Sequence, residues 1–344
     1  MGVFVYLPLV LPLTALPVAR LAAHHLHPRS ATRLLAAAGT TLALCSTLCL
    51  ALLMVIGTAR LPGNPLPDGW SDPEVRAALP YEDRTGLVAI GVLAVVVAGC
   101  GATLVRHVRT RYAATRALKA SERAAGQRPE AAGEVYGSGA CVVESPVPYA
   151  YALPGRCRPA HRRGARTGGR RSGRRGGTGR VVVSSALLGC LEPPERQALF
   201  AHERAHLAGR HHRYLLLTQL AARANPFLVP LRTAVAYSTE RWADEEAARV
   251  VGSRRVVARA VGKAALVSAG SPYEGLAAFA VEGPVPRRVA ALLDPAPTAR
   301  FWPPASTHLF LAALTATVGT AASALSSVNA TVALVRILHA ATSL

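Results

Sequence analysis

The chain has 344 residues, of which 51% are hydrophobic and only 17% charged, and its net charge is +20, from 39 Lys and Arg against 19 Asp and Glu. That balance excludes a disordered or collagen-like chain and points to a membrane protein, while the basic excess raises nucleic acid or an anionic membrane surface as a partner. The six cysteines, at 45, 49, 100, 141, 157 and 190, form no CxxC pair, which argues against a disulfide scaffold.

In chain order, residues 3–19 form a first uncharged apolar segment, interrupted by Pro8, Pro12 and Pro17. It lacks the basic start of a signal peptide and is read as a first transmembrane helix. Residues 34–56 and 86–105 are a second and a third span, and 305–328 a less hydrophobic fourth. The loop after the first segment carries Arg20, Arg29 and Arg33 without an acid, and the loop at 57–85 is acidic. The third span is followed by Arg106, Arg109, Arg111, Arg116, Lys119 and Arg123. By the positive-inside rule the N-terminus is outside, and the large segment after the third span is cytoplasmic. The expected organisation is a three-span region (1–112), a cytoplasmic domain (113–304), a fourth span and a short outer tail (329–344).

Within the cytoplasmic domain, 110–125 reads as a basic helix leaving the membrane. Residues 135–145 and 146–155 read as strand-like, and 180–191 as a β-branched run entering a short helix. Between them, 156–180 holds ten arginines, many glycines and no acid. No aromatic residue interleaves those arginines, so no stacking platform for nucleic acid is present. This stretch is read as a disordered insertion in a hairpin turn, and nucleic acid is not expected as a partner.

The chemistry concentrates in 192–220. Pro193 and Pro194 suit a helix start, with Glu195 in its first turn. A helix through 195–212 places His202, Glu203 and His206 on one side. The stretch from His202 to His206 is HExxH, in which two imidazoles one turn apart can share one zinc and the glutamate stands beside the activated water as general base. Three third ligands are open. His212 completes HExxHxxGxxH, but that pattern demands a later methionine turn, and the only methionines are Met1 and Met54. Glu240 lies on a second predicted helix, 238–253, with Ser238 near its N-cap and Asp244 one turn on, placed to orient a ligand histidine. Glu245 or Glu246 is read as part of a solvated face.

HERAH, followed by ERWAD, resembles the gluzincin-type membrane peptidases, whose pattern is HExxH then ExxAD. The order of PYAYALPG, RVVVSSALL and the HExxH helix is similar to the BlaR/MecR-type integral-membrane zinc peptidases, the sensors and antirepressors of β-lactam resistance, and their small actinobacterial relatives. The resemblance implies a mainly α polytopic membrane protein with a cytoplasmic α+β gluzincin-like peptidase domain. It implies one Zn2+ per chain on His202, His206 and Glu240, Glu203 as base, and Tyr149, Ala150, Tyr151 and Ala152 as a substrate-binding edge strand. Arg288, in RRVAALL, matches an arginine-bearing segment of the wider group. The expected substrate is a cytoplasmic polypeptide, either a transcriptional repressor or the protein itself, and the alternatives are membrane-protein quality control and a non-catalytic signalling protein. The lipid bilayer is a further partner, and self-association is compatible with the reading. Only 16 residues follow the fourth expected span, too few for the extracellular domain that the β-lactam sensors carry there.

Overall fold

The computed structural model describes residues 6–58, 83–124, 136–155, 179–268, 285–297 and 307–342. Residues 3–5 of the first expected span, 59–82 of the acidic loop and 156–178 of the arginine-rich insert lie outside them. In chain order the elements are α1 (Leu7–Val10), α2 (Ala15–His25), α3 (Pro28–Thr58), α4 (Asp83–Ala124), β1 (Ala140–Val143), β2 (Ala150–Leu153) and β3 (Arg180–Ser184). They continue with α5 (Ser185–Gly189), α6 (Pro193–Gly209), α7 (His211–Ala224), α8 (Val229–Val251), α9 (Arg254–Ser268), α10 (Val285–Leu293) and α11 (Thr307–Thr342). The protein is thus mainly helical with one small sheet. It divides into two compact units, one of residues 1–107, 213–238 and 297–344, the other of 108–212 and 239–296.

The apolar helices lie in the first unit, except that α4 continues beyond residue 107 into the second. Three stretches are long and apolar enough to cross a membrane: Pro28–Val55, Thr85–Arg123 and Thr317–Arg336. The first expected span is not a continuous helix of that length. It is α1, a 3-10 turn at Leu11–Thr14 and α2, with a proline opening each of the first two pieces. Proline has no N–H, so Pro12 leaves the carbonyl of Pro8 without a helical donor. Ser46 Oγ supplies one at 2.7 Å, and Asn225 Nδ2 donates to Ser46 Oγ at 3.0 Å and to the Leu9 carbonyl at 3.2 Å. Buried polar side chains thus satisfy the backbone that the prolines break open. The fourth expected span and the tail expected at 329–344 are also corrected. α11 runs unbroken to Thr342, because 329–342 carries no proline or glycine to end it.

The second unit is built on the sheet, with strand order β1-β3-β2. β1 pairs parallel with β3, and β2 pairs antiparallel with β3, Tyr151 opposite Val182. Side chains alternate between two buried faces. Ala140, Ala150, Val181 and Val183 join the core with Ala198, Leu199 and Phe200 of α6. Cys141, Tyr149, Tyr151, Leu153 and Val182 face Ala114 and Leu118 of α4. Burial on both faces specifies the register, since a one-residue slip would exchange the two sets. Ser184 ends β3 and starts α5: its hydroxyl accepts from the backbone N–H of Leu187 at 3.3 Å and of Tyr149 at 2.9 Å.

α6 begins as the sequence predicts. Glu195 Oε2 accepts the Glu192 N–H at 2.9 Å, and Lys263 Nζ of α9 donates to the same oxygen at 2.7 Å. Burial raises the Glu195 pKa, but Lys263, the Glu192 N–H and Arg259 outweigh it and hold the carboxyl below its usual range. A depressed carboxylate stabilises the fold above its unfolded pKa, about 4.5, and the contribution disappears as pH falls through the lower folded value. Wild type should therefore melt above Glu195→Gln at neutral pH, and the gap should close below pH 4.5; a gap independent of pH would contradict this assignment.

Candidate metal centre

Two helices supply the site. α6 presents His202 and His206 one turn apart, and α8 presents Glu240 and Asp244 at the same spacing. α8 starts at Val229, nine residues before the predicted start, so Ser238 lies inside the helix and caps nothing. The stretch from Val229 to Tyr237 has no glycine or proline after Pro230, so the helix extends upstream. Small residues let the backbone come close to its neighbours: Ala243 and Ala247 are fully buried, as are Ala198 of α6 and Ala264 of α9.

His202, His206 and Glu240 converge, each offering a ligand atom within 4.8 Å of the others. The two Nε2 atoms are 3.1 Å apart, and each lies 3.4 Å from a Glu240 oxygen. Ligand atoms around a tetrahedral zinc with bonds of about 2.0–2.1 Å are ~3.3 Å apart, so this donor set fits that ion. All three residues are buried. Glu203 is fully buried between the histidines in sequence, and neither of its carboxylate oxygens has a hydrogen-bond partner among the described residues. A buried carboxylate without a partner is costly, and a polar group entering the site would relieve it.

His212 is not part of this group of three. Glu245 does not form a solvated face: it is largely buried and pairs with Arg241 at 2.8 Å and Arg254 at 2.9 Å. Glu246 pairs with Arg249.

Arg288 of α10 is fully buried and grips Asp244 with two bonds, Nε to Oδ2 at 2.9 Å and Nη2 to Oδ1 at 2.7 Å. Its Nη1 lies 3.1 Å from Glu240 Oε2, and Asp244 Oδ1 lies 3.1 Å from His202 Nδ1. Arg288 therefore touches one candidate ligand directly and orients another through Asp244.

The electrostatics follow from this packing. Burial favours neutral His202, but Asp244 and Glu240 outweigh it and raise its pKa to about 9. Burial pushes Glu203 up to about 7, with Glu240 adding to the rise while His202 and Arg288 oppose it. Burial drives His206 well below the usual range, and the positive charge of its neighbours adds to the shift. Burial would raise Asp244, but Arg288 and His202 hold it well below the usual carboxylate range.

Sequence reasoning missed His211, whose Nδ1 lies 2.9 Å from His206 Nδ1, and Trp242, whose ring lies 4.5 Å from that of His211. The readable signal was Gly209, a helix-ending residue inside the stretch predicted as one helix.

A buried two-histidine, one-carboxylate triad with an adjacent unpaired glutamate defines the site of a metallohydrolase class. Residues 171–235 match the model of peptidase family M48, a similarity that points to a metallopeptidase. The match contains the HExxH helix and ends before Glu240. No curated protein and no solved structure matches the chain.

Replacing Arg288 by Met would leave Asp244 and Glu240 buried without their guanidinium. A loss of about 3–5 kcal/mol is expected in thermal or denaturant unfolding of the full chain; a change below about 1 kcal/mol would contradict the role assigned to the pair.

Proposed function

We propose that this protein is a membrane-embedded zinc metalloendopeptidase that hydrolyses a cytoplasmic polypeptide. The observation that carries the reading is the convergence of His202, His206 and Glu240 beside the unpaired carboxylate of Glu203. Three carboxylates, Glu203, Glu240 and Asp244, are gathered around one guanidinium, Arg288, an excess of acidic groups that a divalent cation would offset.

His202 and His206 would hold the ion through Nε2, and Glu240 through its carboxylate. Bound there, zinc supplies Lewis-acid activation of water and of the scissile carbonyl. Glu203, its pKa near 7, takes one proton from the water and delivers it to the leaving amine nitrogen. Asp244 accepts from His202 Nδ1 and leaves Nε2 free to ligate. Arg288 keeps Asp244 ionised and Glu240 in place.

β2 supports an extended substrate. Tyr149 accepts from the Ser184 N–H. By antiparallel alternation Tyr149, Tyr151 and Leu153 turn their backbone groups to β3, so Ala150 and Ala152 turn theirs to the open edge. β2 packs against α6, the helix of the HExxH pair. A substrate strand pairs there, adding main-chain hydrogen bonds independent of its sequence.

The basic residues from Arg106 to Arg123 support a cytoplasmic peptidase unit, and the acidic residues at 68–83 support an outer loop before the span expected at 86–105, the apolar first half of α4. Whether segment 7–20 crosses the membrane decides only the side of the N-terminus. The finer likeness to the BlaR/MecR-type peptidases rests on HERAH, ERWAD and the strand order, and it makes a repressor or the chain itself the substrate to test first.

Purified wild type should hold one zinc per chain and cleave its substrate. Glu203→Gln should keep the zinc and lose about 10²–10⁴-fold in turnover. Equal turnover in both forms would sink the peptidase reading, and the inactive form doubles as a substrate trap. Ala152→Pro removes one N–H from the open edge. It should raise KM and leave zinc content unchanged; an unchanged KM would exclude strand addition at β2.

A further inference from the structure

α6 ends at Gly209, Arg210 adopts a left-handed conformation at φ 53° and ψ 40°, and α7 restarts at His211. In an unbroken helix, a residue five positions on from His206 would point ~140° away around the axis. The break cancels that rotation and returns the His211 ring to His206, with 2.9 Å between the two Nδ1 atoms. The room for this is specific. A Cβ at residue 209 would stand 2.3 Å from His211 Nε2, so the ring occupies space that only glycine leaves. Trp242 packs on the ring from α8, and His211 is 1% exposed.

Two nitrogens at that distance share one proton, and its position decides what His206 can do. With the proton on His206 Nδ1, His206 Nε2 carries a lone pair facing His202 and Glu240. With the proton on His211 Nδ1, neutral His206 carries its own proton on Nε2 and cannot ligate. We infer that His211 is a positioning residue, accepting the His206 Nδ1 proton and thereby holding the Nε2 lone pair on the metal-binding point. This rests on the zinc reading above. The two ligand histidines are then oriented differently, His202 by the Asp244 carboxylate and His206 by an uncharged imidazole, which adds no further negative charge to a site that already holds three carboxylates.

The test uses the full chain in detergent, with zinc affinity measured by competition against a chromogenic chelator. His211→Phe keeps a ring against Trp242 and removes the acceptor. His211→Asn places Oδ1 at the branch position of Nδ1 and restores it. Zinc should bind about 10–100-fold more weakly to the Phe variant and near wild-type strength to the Asn variant. The absorption of the cobalt-substituted protein should change in the Phe form and return in the Asn form. Equal affinities in all three, or equal losses in Phe and Asn, would overturn the inference. Wild type that binds no zinc would instead overturn the metal reading, and this inference with it. Melting of the zinc-free forms checks that each variant folds, and His211→Leu replaces Phe if the larger ring does not.

Discussion

The buried contact between Arg288 and Asp244 joins three helices that the chain keeps far apart. α6 brings the histidines, α8 the carboxylates and α10 the guanidinium, and each charge in the group would be costly alone. Arg288 spreads one positive charge over Asp244 and Glu240, and Asp244 passes its own orientation on to His202. The geometry of the candidate metal point is therefore inseparable from the packing of α10, which carries no candidate ligand itself.

The sheet and α6 meet this requirement from the other side. Alternate residues of β1, β2 and β3 are buried on opposite faces, so the sheet is a fixed platform for the HExxH helix on one side and for the basic end of α4 on the other. Ion pairs at the start of α6, around Glu195, and the left-handed break after Gly209 delimit the helix at both ends. Between those limits, His202, Glu203 and His206 have little freedom to slide.

The basic balance of the chain has two different sources. Ten of the arginines lie in 156–180, nine of them between β2 and β3, and the tenth, Arg180, opens β3 and pairs with Glu122. Others, among them Arg20, Arg29 and Arg33, lie at or near the ends of apolar helices, and Arg106 follows the apolar first half of α4. In the apolar unit, Ser46 and Asn225 perform a parallel service to the cap of α6, satisfying carbonyls that proline leaves open. Polar side chains in both units thus complete backbone that the local sequence interrupts.

Much of the site was legible because its spacing is local. Two histidines four residues apart must share a helical face, as must Glu240 and Asp244, and the apolar runs announced the long helices by composition alone. Boundaries were less legible: 238–253 and 195–212 were read from caps and polarity, whereas the helices obey tertiary burial and a single left-handed residue, Arg210. The sequence by itself determined which residues could meet a metal. Only the tertiary structure decided that Glu240 and not His212 joins them, that Arg288 sits on Asp244 across 44 positions, and that His211 lies against His206. Those contacts depend on where helices cross and where one breaks, and no periodicity along the chain encodes that distance.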